Sequence, residues 1–194
     1  MATKVVIGEV RMAYPHLFEP WKPEASEGAA KYGFTILIPK SATKIVEQVK
    51  NAIKEAYTEA IPSRWNNKKP AQWFNPLQDG DAPKKDGESR GEEFKGHWFI
   101  NAKSSSRPGV VDARRQPILS DEEVYGGCYC YASIAFAGYN NTGSFGISCF
   151  LNNVMKTRDG EHLGAGKTTA EDDFAGIDVP FAAPANDGSD DIFG

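Results

Sequence analysis

A chain of 194 residues, 40% hydrophobic and 25% charged, has the size and composition of one globular domain with appendages. The net charge of -4 is unevenly spread, because residues 1–158 hold 21 Lys and Arg against 17 Asp and Glu, while residues 159–194 hold one lysine against nine acids. No apolar run is long enough to span a bilayer, and the first residues lack the apolar region of a signal peptide, which argues against a membrane or secreted protein.

The first third of the chain predicts two strands and a helix. KVVIGEVRMAYPHLF (4–18) alternates apolar positions, and KYGFTILIP (31–39) is an aromatic and β-branched run closed by proline, so both indicate strands. SATKIVEQVKNAIKEAYTEAI (41–61) repeats apolar residues at helical spacing, with Ser41 as the predicted N-cap and Pro62 as the predicted stop. We expect this helix either to cap the fold or to mediate a homodimer.

Residues 62–96 form a long polar segment with no usable periodicity, and a loop of this length in a compact domain is commonly functional or disordered. Strands are predicted again at 96–106, 109–113, 128–139 and 143–156, and the last two face each other across the hairpin-turn signal NNTG. Beyond RDGEHLGAG the composition changes to Ala, Asp, Pro and Gly, which predicts a flexible acidic tail.

These elements predict a mainly β fold, because five or six strands at hairpin spacing accompany only one helix. An OB-fold-type small β-barrel is the predicted architecture, and a β-sandwich is the alternative. The predicted organisation is an OB-fold domain over 1–164, with 62–96 as a long loop insertion, and an acidic C-terminal tail over 165–194.

No motif of the sequence requires a catalytic centre, a metal or another cofactor. GAGKTT (164–169) resembles the end of a phosphate-binding loop, but Glu161 stands where that loop needs a glycine. Cys128, Cys130 and Cys149 lack zinc-ligand spacing and are expected to be reduced thiols on strands. We therefore predict a protein that is not an enzyme.

An enzymatic alternative stays open, because dispersed acids could bind magnesium in a phage nuclease or resolvase. Its candidate ligands are Asp112, Asp121, Glu122 and Glu123. A structural virion or assembly protein, with the acidic tail as a packing contact, is the other alternative.

Aromatic residues interleaved with cations indicate binding of single-stranded nucleic acid. Cations contact the phosphates, while ring faces stack on unpaired bases of any sequence. The residues predicted to bind in this way are Arg64, Trp65, Lys68, Lys69, Trp73, Lys95, Trp98, Phe99, Lys103, Arg107, Arg114, Arg115, Tyr129, Tyr131 and Tyr139.

Burial is the competing interpretation of these rings, since aromatic residues on strands commonly belong to a core. It applies most directly to Trp98, Phe99 and Tyr131. Trp65 and Trp73 lie in a polar, proline-punctuated segment together with Phe74, and for these two tryptophans the sequence favours a binding role.

Three ordered blocks of sequence carry a resemblance to a known family. NAKSSSRPGVVD (101–112), YGGCYCYASIAF (125–136) and GISCFLNNVMKTRDGE (146–161) follow FTILIP and an amphipathic helix, and together they resemble tailed-phage single-stranded DNA-binding proteins. The resemblance implies an OB-fold protein, without an active site, that coats single-stranded DNA in the cytoplasm of the infected host during replication and recombination.

The end of the chain, ANDGSDDIFG, is similar to the tip of cellular and phage single-stranded DNA-binding proteins, where acids precede terminal hydrophobic residues. The resemblance implies that this tip binds partner proteins through Asp187, Asp190, Asp191, Ile192 and Phe193. Gly194 departs from the pattern, because the usual tip ends on the phenylalanine itself.

Overall fold

The computed structural model describes residues 2–163 and 174–177. Most of the predicted tail, including its partner-binding residues, lies outside these residues. The described elements are β1 (Thr3–Trp21), β2 (Lys31–Pro39), α1 (Thr43–Ser63), β3 (Gln78–Asp79), β4 (His97–Ser104), β5 (Gly109–Val111), β6 (Tyr129–Asn141) and β7 (Ser144–Arg158), with 3-10 turns at Glu92–Phe94 and Asp121–Glu123. In the part of the chain described, no helix is both long and apolar enough to cross a membrane.

Five of the strands close into a barrel. β1 pairs with β2 and β6, β2 pairs with β4, and β6 pairs with β7, all antiparallel. A parallel contact between Lys103 of β4 and Phe150 of β7 completes the circle. This five-stranded arrangement is that of the OB-fold, so the predicted barrel is confirmed in preference to the β-sandwich.

Strand alternation fills the barrel interior. Ile36 and Ile38 of β2, Ile100 of β4, and Ile134 and Phe136 of β6 are fully buried at positions that alternate with outward-facing residues. Burial of each such side chain contributes about 1.5–3 kcal/mol to stability. The apolar alternation seen in the sequence is therefore the pattern that builds the core.

Helix α1 covers one side of the barrel, packing mainly against β6 and β1. At its end, Ala60 approaches Gly138 so closely that a Cβ atom added there would lie 2.3 Å from the Ala60 Cβ. The predicted limits of the helix are displaced: Ala42 precedes it without a side-chain cap, so Ser41 is not the N-cap. Pro62 lies in the last turn, and the helix continues past it to Ser63, so this proline is not the residue at which the helix ends.

The middle of the long 62–96 segment is ordered against the barrel. Phe74 N donates to Phe145 O at 2.9 Å, and Ile147 N donates to Phe74 O at 3.0 Å, which attaches the segment to β7. A few residues later, β3 pairs with β4 opposite Phe99 and Trp98. The segment therefore fills the space between β4 and β7 at the end where those two strands do not pair.

Candidate nucleic-acid interface

Two adjoining cavities form a groove on the outer face of the barrel. One has a volume of about 500 Å³ and lies between β4, β7 and the ordered part of the 62–96 segment. The other has a volume of about 700 Å³ and lies between β2, β4 and the loop that joins β1 to β2. They share Lys31, Asn101 and Lys103, so we treat them as one groove.

Strand geometry explains why these side chains face the groove. On β4, Ile100 and Ala102 point into the core, which directs the intervening Asn101 and the following Lys103 outward. Thr35 lies opposite Asn101 on β2, and its hydroxyl donates to Asn101 Oδ1 at 2.7 Å. The centre of the groove is therefore a polar strip of two neighbouring strands.

Exposed aromatic rings line the groove on both sides of this strip. Tyr14, Trp21, Phe74 and Phe150 are 52%, 55%, 49% and 46% exposed, although large rings are normally covered in a folded domain. The Trp21 ring is supported by His16, whose ring stacks on it at 5.2 Å and 12°. Desolvation by burial lowers the pKa of His16, which favours the neutral imidazole in this stack.

The charged side chains that line the groove are lysines. Lys22, Lys31 and Lys103 line it, and no acidic residue is among its lining residues in the described part of the chain. None of the three ammonium groups forms an ion pair with a described residue. Their charges are therefore available to an anionic ligand.

One end of the outer face of β2 and β4 is covered by other residues, and this corrects the prediction that Phe99 binds single-stranded DNA. Its ring points away from the barrel interior but is only 4% exposed, because it packs with Leu37 and is covered by Phe94 and Leu163. The Arg90 guanidinium lies 4.7 Å from the centre of the same ring. Phe99 therefore has no free face for a base.

Trp65 is a second correction. Its side chain is fully buried, its indole N–H donates to Tyr139 O at 2.8 Å, and its ring meets Tyr57 edge-on at 4.9 Å. The sequence after α1 is polar, but the chain turns back so that Trp65 becomes part of the core. Trp65 therefore has no free ring face on which a base could stack in this structure.

Trp73 and Trp98 are half-buried and line a different cavity of about 360 Å³, between α1 and the start of β4. This cavity shares no lining residue with the groove. The two tryptophans are accessible from the solvent, but the structure does not bring them together with Lys103.

The predicted tyrosines divide between the groove and the rest of the barrel. Tyr139 lines the groove. Tyr129 lies between two guanidinium groups, with Arg158 at 3.6 Å and Arg11 at 5.6 Å from its ring centre. Tyr131 covers Gly8 on the neighbouring strand. Neither Tyr129 nor Tyr131 lines the groove.

The remaining predicted cations are exposed but do not line the groove. Lys95 forms an ion pair with Glu92 at 2.6 Å, and the Arg107 guanidinium lies 5.1 Å from the centre of the Phe18 ring. The others are Arg64, Lys68, Lys69, Arg114 and Arg115. Of the predicted site residues, the groove therefore unites Lys103 and Tyr139.

Sequence reasoning missed most of the rings and one central cation of the groove. Phe150 could have been found from alternation, because Cys149 and Leu151 on either side of it point inward. Trp21 beside Lys22, between two prolines, carries the same aromatic-cation signal as the predicted sites. The other missed residues are Tyr14, Lys31 and Phe74.

The acids proposed as magnesium ligands do not converge. The Asp112 carboxylate accepts hydrogen bonds from the backbone N–H groups of Arg114 and Gln116, both at 2.8 Å, and so stabilises the turn that follows it. The three other acids, Asp121–Glu123, form a 3-10 turn. Within 2–163 and 174–177, no three His, Cys, Asp or Glu side chains are placed to hold a metal ion.

Comparison with known proteins gives a consistent result. The family model described as "Enterobacter phage Enc34, ssDNA-binding protein" matches residues 3–188. The p50 protein of Acyrthosiphon pisum secondary endosymbiont phage 1 is 34% identical in an alignment 181 residues long, and that alignment covers 88% of this chain and 92% of that protein.

Solved structures show the same relationship. The single-stranded DNA-binding protein of bacteriophage Enc34 in complex with ssDNA is 29% identical and superposes with a TM-score of 0.67, over 84% of this chain and 90% of that one. The single-stranded DNA-binding protein gp2.5 of bacteriophage T7 is 18% identical, with a TM-score of 0.57 over 94% and 98%, and shares the fold. These relatives are binding proteins and not enzymes, in agreement with the prediction. The chain belongs to the Enc34 family of phage single-stranded DNA-binding proteins.

Proposed function

We propose that this protein binds single-stranded DNA in the groove, without sequence preference, and coats it during phage DNA replication or recombination. The observation that carries the proposal is the combination of exposed rings at Trp21, Phe74 and Phe150 with Lys31 and Lys103, which form no ion pair with a described residue, in a groove that no described acid lines. The Enc34 protein, whose structure was solved with ssDNA, supports the same ligand.

The physics of the groove suits unpaired bases. Each ring face that stacks on a base contributes about 1–3 kcal/mol irrespective of the base, and each lysine that contacts a phosphate releases a condensed counterion. The strands and loops that OB-folds use for oligonucleotides are the same elements that form this groove. A duplex offers no free base faces to the rings, so single strands are the preferred ligand.

The C-terminal tail completes the proposal. Its acids and terminal hydrophobic residues, Asp187, Asp190, Asp191, Ile192 and Phe193, are proposed to recruit replication or recombination proteins in the cytoplasm of the infected host. The support is compositional: a body with an excess of cations carries a segment with one lysine and nine acids. Such a segment is repelled by DNA phosphates and remains available to a protein partner.

The test is a tryptophan-fluorescence titration of the full chain with oligo(dT) at low and high salt. We expect near-stoichiometric quenching, an affinity that falls as salt rises, and loss of most of the quenching in Trp21→Phe. Trp65→Phe is the matched control, because the buried Trp65 has no route to a base. Absence of salt-sensitive binding by fluorescence and by gel shift would contradict the proposal and favour a structural role; degradation of the oligonucleotide with magnesium would favour the nuclease.

A further inference from the structure

The cavity that contains Trp73 and Trp98 has the properties of a second binding site, which we call the helix pocket. It is lined by Lys50, Ile53, Lys54, Tyr57, Trp73, Asn75, Leu77 and Trp98. Ile53 and Leu77 are buried and form its floor, while the two indoles remain half-buried at its walls. The surface thus offers an apolar depression next to α1 that is separate from the groove.

Two lysines give the helix pocket a positive rim. Lys50 and Lys54 are one helical turn apart, and the Lys50 ammonium lies 5.5 Å from the centre of the Trp98 ring. Neither lysine forms an ion pair with a described residue, and no described acid lines the pocket. Lys40, also close to Trp98 at 5.3 Å, is neutralised by Asp79 and Asp81, each at 2.6 Å.

A ligand for such a pocket needs large apolar side chains preceded by negative charge. The end of this same chain has that chemistry, because Asp190 and Asp191 directly precede Ile192 and Phe193. We propose that the C-terminal segment 190–193 docks in the helix pocket, with Ile192 and Phe193 against the two indoles and the aspartates beside the lysines. This inference does not depend on the proposed function of the groove.

Chain length permits this docking. Leu163 packs on the barrel beside Phe99, and 27 positions separate it from Asp190. An extended chain of that length spans up to roughly 90 Å, whereas a domain of this size is only about 40 Å across. The tip can therefore reach the pocket of its own chain.

Docking in the helix pocket has a consequence that docking in the groove would not have. Because the two sites share no lining residue, DNA and the tip can be bound at the same time. Partner proteins would then compete with the pocket for the tip, and DNA would not be displaced by it.

The experiment is ¹⁹F NMR of the full chain labelled with 5-fluorotryptophan, with the four signals assigned by single Trp→Phe substitutions. We expect Ile192→Ala/Phe193→Ala to shift the Trp73 and Trp98 signals and to leave the Trp21 signal unchanged. Adding a synthetic peptide of residues 185–194 to that variant should restore the original positions. The substituted positions follow the last barrel strand, β7, in the sequence, so this test does not depend on a destabilised fold.

Charge reversal supplies the matched comparison. Lys54→Glu should move the Trp73 and Trp98 signals toward those of the tail variant and weaken the rescue by the peptide, while Lys44→Glu, on the same helix but outside the pocket, should do neither. Shifts confined to Trp21 would place the tip in the groove and overturn the proposal, as would no shift at any tryptophan. Shifts that depend on protein concentration support the pocket with the tip supplied by a second copy.

Discussion

Lys103 and Phe150 lie opposite each other where β4 and β7 make the parallel contact that closes the barrel. Lys103 is exposed, and Phe150 is 46% exposed on the neighbouring strand. Barrel closure thus places a cation next to a ring within the groove, the pairing that suits single-stranded DNA. The contact that completes the fold also builds the proposed site.

Neutralising the groove lysines should weaken DNA binding in a salt-dependent way. In Lys31→Gln and Lys103→Gln we expect a lower affinity for oligo(dT), and a slope of log K against log salt that is reduced by roughly 0.7 for each phosphate that the protein no longer neutralises. Fluorescence titration at several salt concentrations measures both quantities. Lys85→Gln, an exposed lysine outside the groove, is the control, and an equal effect of all three substitutions would point to net charge alone.

Removing an aromatic ring from the groove should weaken DNA binding and leave the stability of the fold nearly unchanged. We expect Phe74→Ala and Phe150→Ala each to lower the affinity for oligo(dT) by about 1–3 kcal/mol, or roughly 5- to 150-fold, while the melting temperature changes little because both rings are about half-exposed. Tyr131→Leu, at an exposed ring outside the groove, should bind normally. If Phe74→Ala and Phe150→Ala bind as tightly as the parent chain, these rings do not stack on bases.

Trp65 should behave in the opposite way. Its full burial and its hydrogen bond to Tyr139 O predict that Trp65→Ala lowers the free energy of unfolding by about 3–5 kcal/mol. Chemical denaturation followed by circular dichroism measures this loss. Trp65→Phe should lose less of the free energy of unfolding, and under conditions where it is folded it should bind oligo(dT) like the parent chain. A specific loss of binding in folded Trp65→Phe would indicate that this residue has a role at the interface.

Glu9 should contribute a pH-dependent part of the stability. Hydrogen bonds from Arg158, at 2.8 and 3.0 Å, and from Thr157 lower the pKa of its carboxyl group and connect β1 to β7. A carboxyl group whose pKa is lower in the folded state stabilises the fold above its unfolded pKa, about 4.3, and loses that contribution as the pH falls through the folded pKa. Glu9→Gln should therefore melt below the parent chain at pH 7, and the difference should shrink as the pH falls below the unfolded pKa of about 4.3. A difference that is constant with pH would contradict an ionic contribution.

The three cysteines should not react in the native state. Cys128, Cys130 and Cys149 are all buried, and burial raises the pKa of each thiol, which removes the reactive thiolate. A thiol-disulfide reagent that absorbs on reaction should titrate no thiol at neutral pH and all three in denaturant. Rapid labelling of the folded chain would show that β6, β7 or the turn before β6 that contains Cys128 opens locally.

Periodicity in the sequence was sufficient for the elements of the barrel. The alternation in 4–18 predicts β1, and the apolar spacing in 41–61 predicts α1 to within two residues at each end. Both patterns depend only on neighbouring residues along one strand or one helix turn, so they can be recognised without knowing the rest of the fold. The aromatic-cation signal likewise predicted the class of ligand that the family binds.

Only the tertiary structure decided which rings are free. Phe99 faces outward but is covered by Phe94 and Leu163, which come from other parts of the chain. Trp65 and Phe74 lie in the same polar segment, yet the first is buried beneath it while the second is 49% exposed. Exposure depends on what packs over a side chain from elsewhere, and no local pattern contains that information. The sequence therefore determined the barrel and indicated the kind of ligand, while long-range packing determined which rings are free to form the proposed binding surface.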